Sequence, residues 1–255
     1  MAHAYAPRVL GVLNVSPESI VRESVASSPK EIEARARELT AAGADWIDLG
    51  GRSITPEVPM IGDAEEQKRL LPALRLLCHS GYAVSVDTWS EETAVAALGA
   101  GARAINFTGA AIESSTLDAI AASSALVFLT FMPYANAYEM RAAPPAQVGI
   151  DAILDHLAPK VDAARAAGIS QVVIDPNVGI IHPAIDDETK IHQQLEIIWN
   201  LDALRSLGCP ILLYAARKPE RLARIMMASA ILHAQADYIR THTPEMIEQL
   251  LHVDL

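Results

Sequence analysis

The chain has 255 residues, 51% of them apolar, and a formal net charge of -11. That acidic balance argues against a nucleic-acid or anionic-membrane surface, because either needs a basic face to neutralise phosphates or headgroups. No stretch approaches the roughly 18 unbroken apolar residues of a membrane span, and the opening MAHAYAPR lacks the charged, then apolar, then small-residue order of a leader, so a soluble, cytoplasmic protein is expected.

Eight short apolar runs follow one another along the chain, each ending in a polar residue or a turn. The first, 9–14 (VLGVLN), closes on Asn14 and leads into an irregular stretch, 17–27. Ser28-Pro29-Lys30-Glu31 then combines an N-cap serine, a proline at the first helical position and a capping-box glutamate, which predicts a helix to Ala42 before Gly43. The second run, 46–50 (WIDLG), is followed by the irregular stretch 51–60; the third, 83–87 (AVSVD), ends on Asp87; the fourth, 104–106 (AIN), ends on Asn106. The fifth, 126–132 (LVFLTFM), opens into 133–147, expected to be irregular, and a helix is predicted from Asp151 to Ala167 before Gly168. The sixth run, 172–175 (VVID), ends on Asp175 and precedes one helix predicted from Thr189 to Leu207 before Gly208. The seventh, 211–218 (ILLYAARK), carries Arg217 and Lys218 ahead of Pro219, and the eighth, 238–242 (YIRTH), carries Arg240 and His242 ahead of a helix starting at Thr243-Pro244.

Strand-like runs alternating with helix-like stretches eight times predict an α/β fold, a (β/α)8 TIM barrel, and the length fits one such barrel over 1–255. The runs are nearly continuous in apolar residues, as suits parallel strands covered on both faces. In this architecture chemistry gathers where strands end, so the run termini and the loops 17–27, 51–60 and 133–147 are the candidate active face.

Strands seven and eight offer the sharpest local signal. Barrels often bind phosphate there, against helix N-termini, and four potential cations (Arg217, Lys218, Arg240 and His242) fit a phosphate or diphosphate. The competing reading pairs the arginines with neighbouring carboxylates. Across the mouth, Asp87, Asn106 and Asp175 combine acceptors with an amide that both donates and accepts, a set matching a flat heterocycle with an amino-amide edge. Each aspartate is equally suited to capping its own loop; the set as a whole points to a polar ligand pocket. Asn14 offers one oxygen to a hard cation, which is not by itself a metal site. His182 and His192 are ten residues apart, without helical pairing, and read as surface or loop residues. Cys78 and Cys209 have no metal-type spacing and read as reduced, partly buried side chains. No HExxH, paired CxxC, Walker loop or nucleophile elbow occurs, which disfavours a zinc protease, a P-loop NTPase and a serine hydrolase.

At these residues the chain resembles the dihydropteroate synthase family, pterin-binding barrels of folate biosynthesis. GVLNVSPES is similar to the family's first motif, GADWIDLGGRS to the second, SVDT (85–88) to the third and AINFTG to the fourth; VVIDPNVGI, ARK and IRTH resemble those of strands six, seven and eight. The resemblance implies a transferase that displaces diphosphate from a hydroxymethyl-dihydropterin diphosphate with an amine, p-aminobenzoate or another acceptor. It implies a pterin held by Asp87, Asn106, Asp175 and Lys218, and a diphosphate with its Mg2+ held by Asn14, Arg240 and His242. Lys218, Arg240 and His242 would stabilise the leaving group, and a cytoplasmic homodimer is the expected assembly.

The chain departs from that pattern on the acceptor side. Where the family's second loop reads glutamate-serine-threonine-arginine-proline, this one has Arg52, Ser53, Ile54, Thr55 and Pro56; the first loop offers Arg22, Glu23 and Ser24 in place of an aspartate followed by glycines. Ile180 stands for a phenylalanine and Pro219 for a serine of the aminobenzoate site. Arg52, Ser53 and Arg217 are the remaining candidates to meet a second substrate, with an ion pair to Glu57 the competing role for Arg52. Two other functions fit a pterin pocket: a pterin- or folate-dependent methyltransferase served by a separate corrinoid protein, and a paralogue that binds pterin without turnover.

Overall fold

The computed structural model describes residues 5–19, 21–54, 58–146, 148–179, 182, 184–215 and 220–253. Its strands are β1 (Arg8–Asn14), β2 (Trp46–Gly50), β3 (Val84–Thr88), β4 (Ala104–Phe107), β5 (Leu126–Thr130), β6 (Val172–Asp175), β7 (Leu212–Tyr214) and β8 (Tyr238–Thr241). All neighbours pair in parallel, in the order β6-β5-β4-β3-β2-β1-β8-β7. Between β6 and β7 the ring is joined by the bridge Ile174–Ile211, with the Ile174 N–H donating to the Pro210 carbonyl at 3.0 Å. The result is the nearly closed barrel that the alternating runs predict.

The apolar runs serve two cores at once. Leu10, Ala104, Leu126, Phe128, Val173 and Leu212 fill the barrel, flanked by Trp46 and Tyr238. Their immediate neighbours Val9, Ile105, Val127, Leu129, Ile174 and Leu213 face the helical shell. Side chains alternate across a strand, so a parity is set for each one. Two residues beyond an inward apolar residue, the same face carries Asp48, Asn106, Thr130, Asp175, Tyr214 and Arg240. The barrel's own packing therefore aims these side chains into its mouth.

The shell comprises α1 (Pro29–Ala41), α2 (Asp63–His79), α3 (Glu91–Gly99), α4 (Ser114–Ser123), α5 (Ala137–Ala142), α6 (Ile150–Ala166), α7 (Asp187–Trp199), α8 (Leu201–Arg205), α9 (Arg221–His233) and α10 (Pro244–Leu251). The predicted capping box forms: Ser28 Oγ accepts from the Glu31 N–H at 3.3 Å, and Glu31 Oε2 accepts from the Ser28 N–H at 2.9 Å. Three expectations are corrected. The single helix expected from Thr189 to Leu207 breaks at Asn200, whose Nδ2 donates to the Glu196 carbonyl at 2.7 Å and ends α7, after which α8 buries Leu201 and Leu204. The stretch 133–147 contains α5, capped by Asn136 Oδ1, which accepts from the N–H groups of Tyr138 and Glu139. β7 ends at Tyr214, short of the predicted Lys218, and 216–219 lie outside the described residues. Cys78 and Cys209 are free thiols, the first half-buried and the second buried. Among the described residues no helix is long and apolar enough to cross a membrane.

Candidate functional site

The inward parity gathers three carboxylates around one guanidinium. Arg240 donates through Nε to Asp48 Oδ2 at 2.5 Å and through Nη2 to Asp87 Oδ2 at 2.8 Å. Asp48 is completely buried and also accepts from Asn106 Nδ2 at 3.4 Å, while Asp87 accepts from the Thr108 hydroxyl at 3.4 Å. Such charge-assisted contacts fix which edge of the guanidinium faces each carboxylate. Burial works against its charge, but Asp48 and Asp87 hold its pKa above the ordinary arginine value. Arg240 thus adopts the carboxylate-paired arrangement, at the centre of the mouth.

Asp175 sits across from this pair with different partners. Asn177, in the left-handed region at φ 60°, folds its N–H back onto Asp175 Oδ1 at 2.7 Å, and its Nδ2 donates to the Phe131 carbonyl at 2.8 Å. No described residue bonds Asp175 Oδ2. Burial pushes the Asp175 carboxyl up to about 7, against the lowering effects of the Asn177 N–H and Arg240. Burial also raises Asp87, with Arg240 opposing and Asp48 and Glu66 adding to it. Both groups change charge more readily near neutral pH than an exposed aspartate does.

Four buried polar atoms on these inward positions lack a hydrogen-bond partner among the described residues: Asp48 Oδ1, Ser85 Oγ, Asn106 Oδ1 and Thr130 Oγ1. They belong to β2, β3, β4 and β5 in sequence, so they line one arc of the mouth. Buried polar groups are satisfied in the great majority of cases. An arc of unsatisfied acceptors and hydroxyls beside Asp175 Oδ2 is what a polar, planar ligand would complete.

Asn14 ends β1, beside Gly50 of β2. Its Nδ2 donates to Ser24 Oγ at 2.8 Å, and Ser24 is anchored on the Val21 carbonyl, so the amide is oriented by the first loop. A side chain on the neighbouring Gly50 would meet Asn14 Oδ1 at 2.8 Å, which keeps that position clear for the amide oxygen. One neutral oxygen suits a magnesium ion that keeps water and takes its other ligands from a substrate's phosphates. Among the described residues no cluster of three His, Cys, Asp or Glu side chains could hold a metal unaided.

His242 is buried, its ring 6.0 Å from that of Tyr214, and its carbonyl accepts from Arg35 at 3.1 Å. Lys218, Arg217, Ile180, Thr55, Pro56, Glu57 and Pro219 lie outside the described residues. Ser53 is buried. Arg52, 5% exposed, bonds Glu66 and, at 2.6 Å, Asp63, and its guanidinium lies 4.4 Å from the Trp89 ring centroid. Glu66, in turn, accepts from the hydroxyls of Thr88 and Thr93. An acceptor's carboxylate reaching Arg52 would therefore have to displace Asp63, the more exposed of its two partners. His182 lies in the irregular stretch between β6 and α7, as expected of a loop residue. It is buried and bonded to the Ala143 carbonyl and the Ala184 N–H, whereas His192 is exposed.

Three site residues were not singled out from the sequence, and each carries a signal. Asp48 interrupts an apolar run that must be buried on both faces, so its charge has to point into the mouth and find a counter-ion. Tyr214 shares its parity with Leu212. Lys160 falls on the apolar stripe of α6 with Ile153, Leu157 and Ala164, and its Nζ donates to the carbonyls of Gly109 and Thr130, both at 2.8 Å. Burial lowers its pKa to about 7. It ties the loop beyond Asn106 to the strand residue in register with Asp175.

Comparison with known proteins agrees with this fold. A dihydropteroate synthase of Bacillus subtilis is 27% identical over 95% of this chain and 85% of its own length, and a type-2 dihydropteroate synthase of Escherichia coli is 28% identical over 96% and 94%. The structure of a Xanthomonas albilineans dihydropteroate synthase with 4-aminobenzoic acid superposes with a TM-score of 0.77 at 27% identity, covering 96% of this chain and 90% of that one. The family described as pterin binding enzyme matches residues 10–239, from within β1 to within β8, and takes in every inward position named above except Arg240. The chain belongs to the family of pterin-binding enzymes.

Proposed function

We propose that the chain is a dihydropteroate synthase-like transferase: it holds a hydroxymethyl-dihydropterin diphosphate in the barrel mouth and transfers the pterin methylene to an amine, p-aminobenzoate or another acceptor. The observation that carries this reading is the arc of unsatisfied buried atoms on Asp48, Ser85, Asn106 and Thr130 next to the open oxygen of Asp175. The amino and ring N–H groups of a pterin would donate to Asp175, Asp87 and Asn106 Oδ1, and its carbonyl and ring nitrogens would accept from the hydroxyls.

In the reaction the methylene C–O bond breaks, and its electron pair leaves with the diphosphate. The amine lone pair forms the new C–N bond, and the amine proton passes to solvent. Catalysis on this scheme is positioning plus charge stabilisation, since a neutral arylamine is already a nucleophile. When a pterin takes Asp87, Nη2 of Arg240 is released to meet the diphosphate while Nε stays on Asp48. His242, Lys218 and Asn14 complete that side, and Arg52, Ser53 and Arg217 are the acceptor-side candidates. Magnesium carried by the diphosphate would bind the Asn14 oxygen and offset charge on the leaving group. A cytoplasmic homodimer is the assembly this reading expects.

Isothermal titration with the pterin diphosphate, bare pterin and methyl-tetrahydrofolate, followed by diphosphate release across a panel of amines, tests the proposal. Release with p-aminobenzoate or another amine supports it. Tight binding of the methylated folate alone would favour the methyltransferase, and pterin binding with no release for any amine would identify a non-catalytic paralogue.

A further inference from the structure

The tyrosine at the end of β7 is not accounted for by the reaction, yet it touches the residue at the centre of the site. Tyr214 is in register with Arg240, and its ring centroid lies 5.1 Å from the guanidinium carbon. The same ring meets His242 nearly edge-on, with 70° between the planes. The ring also packs closely against the loop after β6: a Cβ built on Gly179 would lie 2.1 Å from Tyr214 Cδ1 and 2.9 Å from Cε1. Gly179 is therefore a seat for this ring, and the φ of Gly179 does not itself demand glycine. The contact also spans the β6–β7 seam, where the sheet is joined by a single bridge outside the named strands.

Asp48 and Asp87 restrain the Arg240 guanidinium within its own plane, but two edge contacts leave its tilt free. The tyrosine face supplies the missing restraint, as aromatic faces do for arginine. We propose that Tyr214, seated on Gly179, is a positioning residue that sets the tilt of Arg240 and hence its readiness to meet the diphosphate. The functional consequence rests on the reading above; the structural one does not. Asp48 and the ring together form the fixed mount that remains when Asp87 exchanges Arg240 for a ligand.

Two substitutions approach the contact from opposite sides. Tyr214→Leu removes the ring, whereas Gly179→Ala leaves it in place and drives it off its seat; Tyr214→Phe preserves the face. Crystal structures of the ligand-free variants should show Arg240 in a second orientation, with Nη2 beyond about 3.5 Å from Asp87 Oδ2, in the Leu and Ala variants and not in the Phe variant. Affinity for the pterin diphosphate should fall roughly five- to thirtyfold in the first two, with bare pterin affected less and the Phe variant like the parent. An unmoved Arg240 in both Leu and Ala variants overturns the inference. If the parent binds neither pterin, the functional reading fails while the crystal structures still decide the role of Tyr214.

Discussion

Replacing Arg240 with methionine removes the cation that serves Asp48 and Asp87 together, and the structure sets the size of the effect. Asp48 is 0% exposed and holds Arg240 Nε at 2.5 Å, while Asp87 is 26% exposed and holds Nη2 at 2.8 Å. Breaking a buried ion pair by deleting one partner costs about 3 to 5 kcal/mol, chiefly because the remaining charge is stranded. Most of that falls on Asp48, since water screens Asp87 in part. Arg240→Met should therefore lower unfolding stability by about 3 to 5 kcal/mol above neutral pH. Adding Asp48→Asn, which removes the stranded charge and keeps an acceptor for Asn106, should restore about 2 kcal/mol. Burial already holds the Asp87 carboxyl above its unfolded pKa and Arg240 opposes that rise, so without Arg240 the stability Asp87 contributes is present at low pH and lost as pH rises through its folded value. The deficit should accordingly shrink at about pH 5. Reversible urea unfolding of the parent, the single and the double variant measures this. A loss under about 1 kcal/mol, or no recovery in the double variant, would refute the pairing as the centre of the mouth.

Asp87→Asn and Asp175→Asn should each weaken pterin binding by about 1 to 3 kcal/mol in calorimetry, and parent-like binding by both would remove them from the site. Because Asp175 is held up to about 7, it accepts a ligand's N–H bonds fully only above that pH. Pterin affinity should thus climb between about pH 5.5 and about pH 8, and the Asp175→Asn variant should lose that slope. The stability contributed by the same group runs the other way, present below the ordinary carboxylate range and lost as pH passes about 7. Arg52→Met strands Glu66, whose side chain is 0% exposed, and should cost about 3 kcal/mol or more of stability. If it instead changes only the acceptor's KM, Arg52 acts on the substrate and not as a strut of the loop.

The fold was legible because its signals are local and repeated. Apolar runs of strand length recur eight times, a capping box opens the first helix, Gly43, Gly168 and Gly208 follow helix ends, and the rule that links such runs by right-handed crossovers leaves few alternatives to a barrel. Asp87, Asn106, Asp175 and Arg240 were legible as candidate site residues because they lie at or one residue before strand ends, and position in the chain is enough to place a strand end on the active face. Asp48 and Tyr214 were within reach by the same parity, since an inward residue follows two after an inward neighbour. The break at Asn200 and the helix α5 were not, because each turns on one side chain satisfying nearby backbone groups in competition with continued helix or open loop.

What the sequence determined by itself was the set of functional groups and the order in which strands carry them to one face. Tertiary structure decided how those groups meet. Whether Arg240 faced a phosphate site or a carboxylate pair depended on distances between β8, β2 and β3, strands up to 192 residues apart in the chain. Whether Arg52 stood free for an acceptor depended on the pitch of α2, which brings Asp63 and Glu66 against the loop after β2. Pairing energies fall steeply with distance and rise with burial, and both quantities exist only once the barrel has closed.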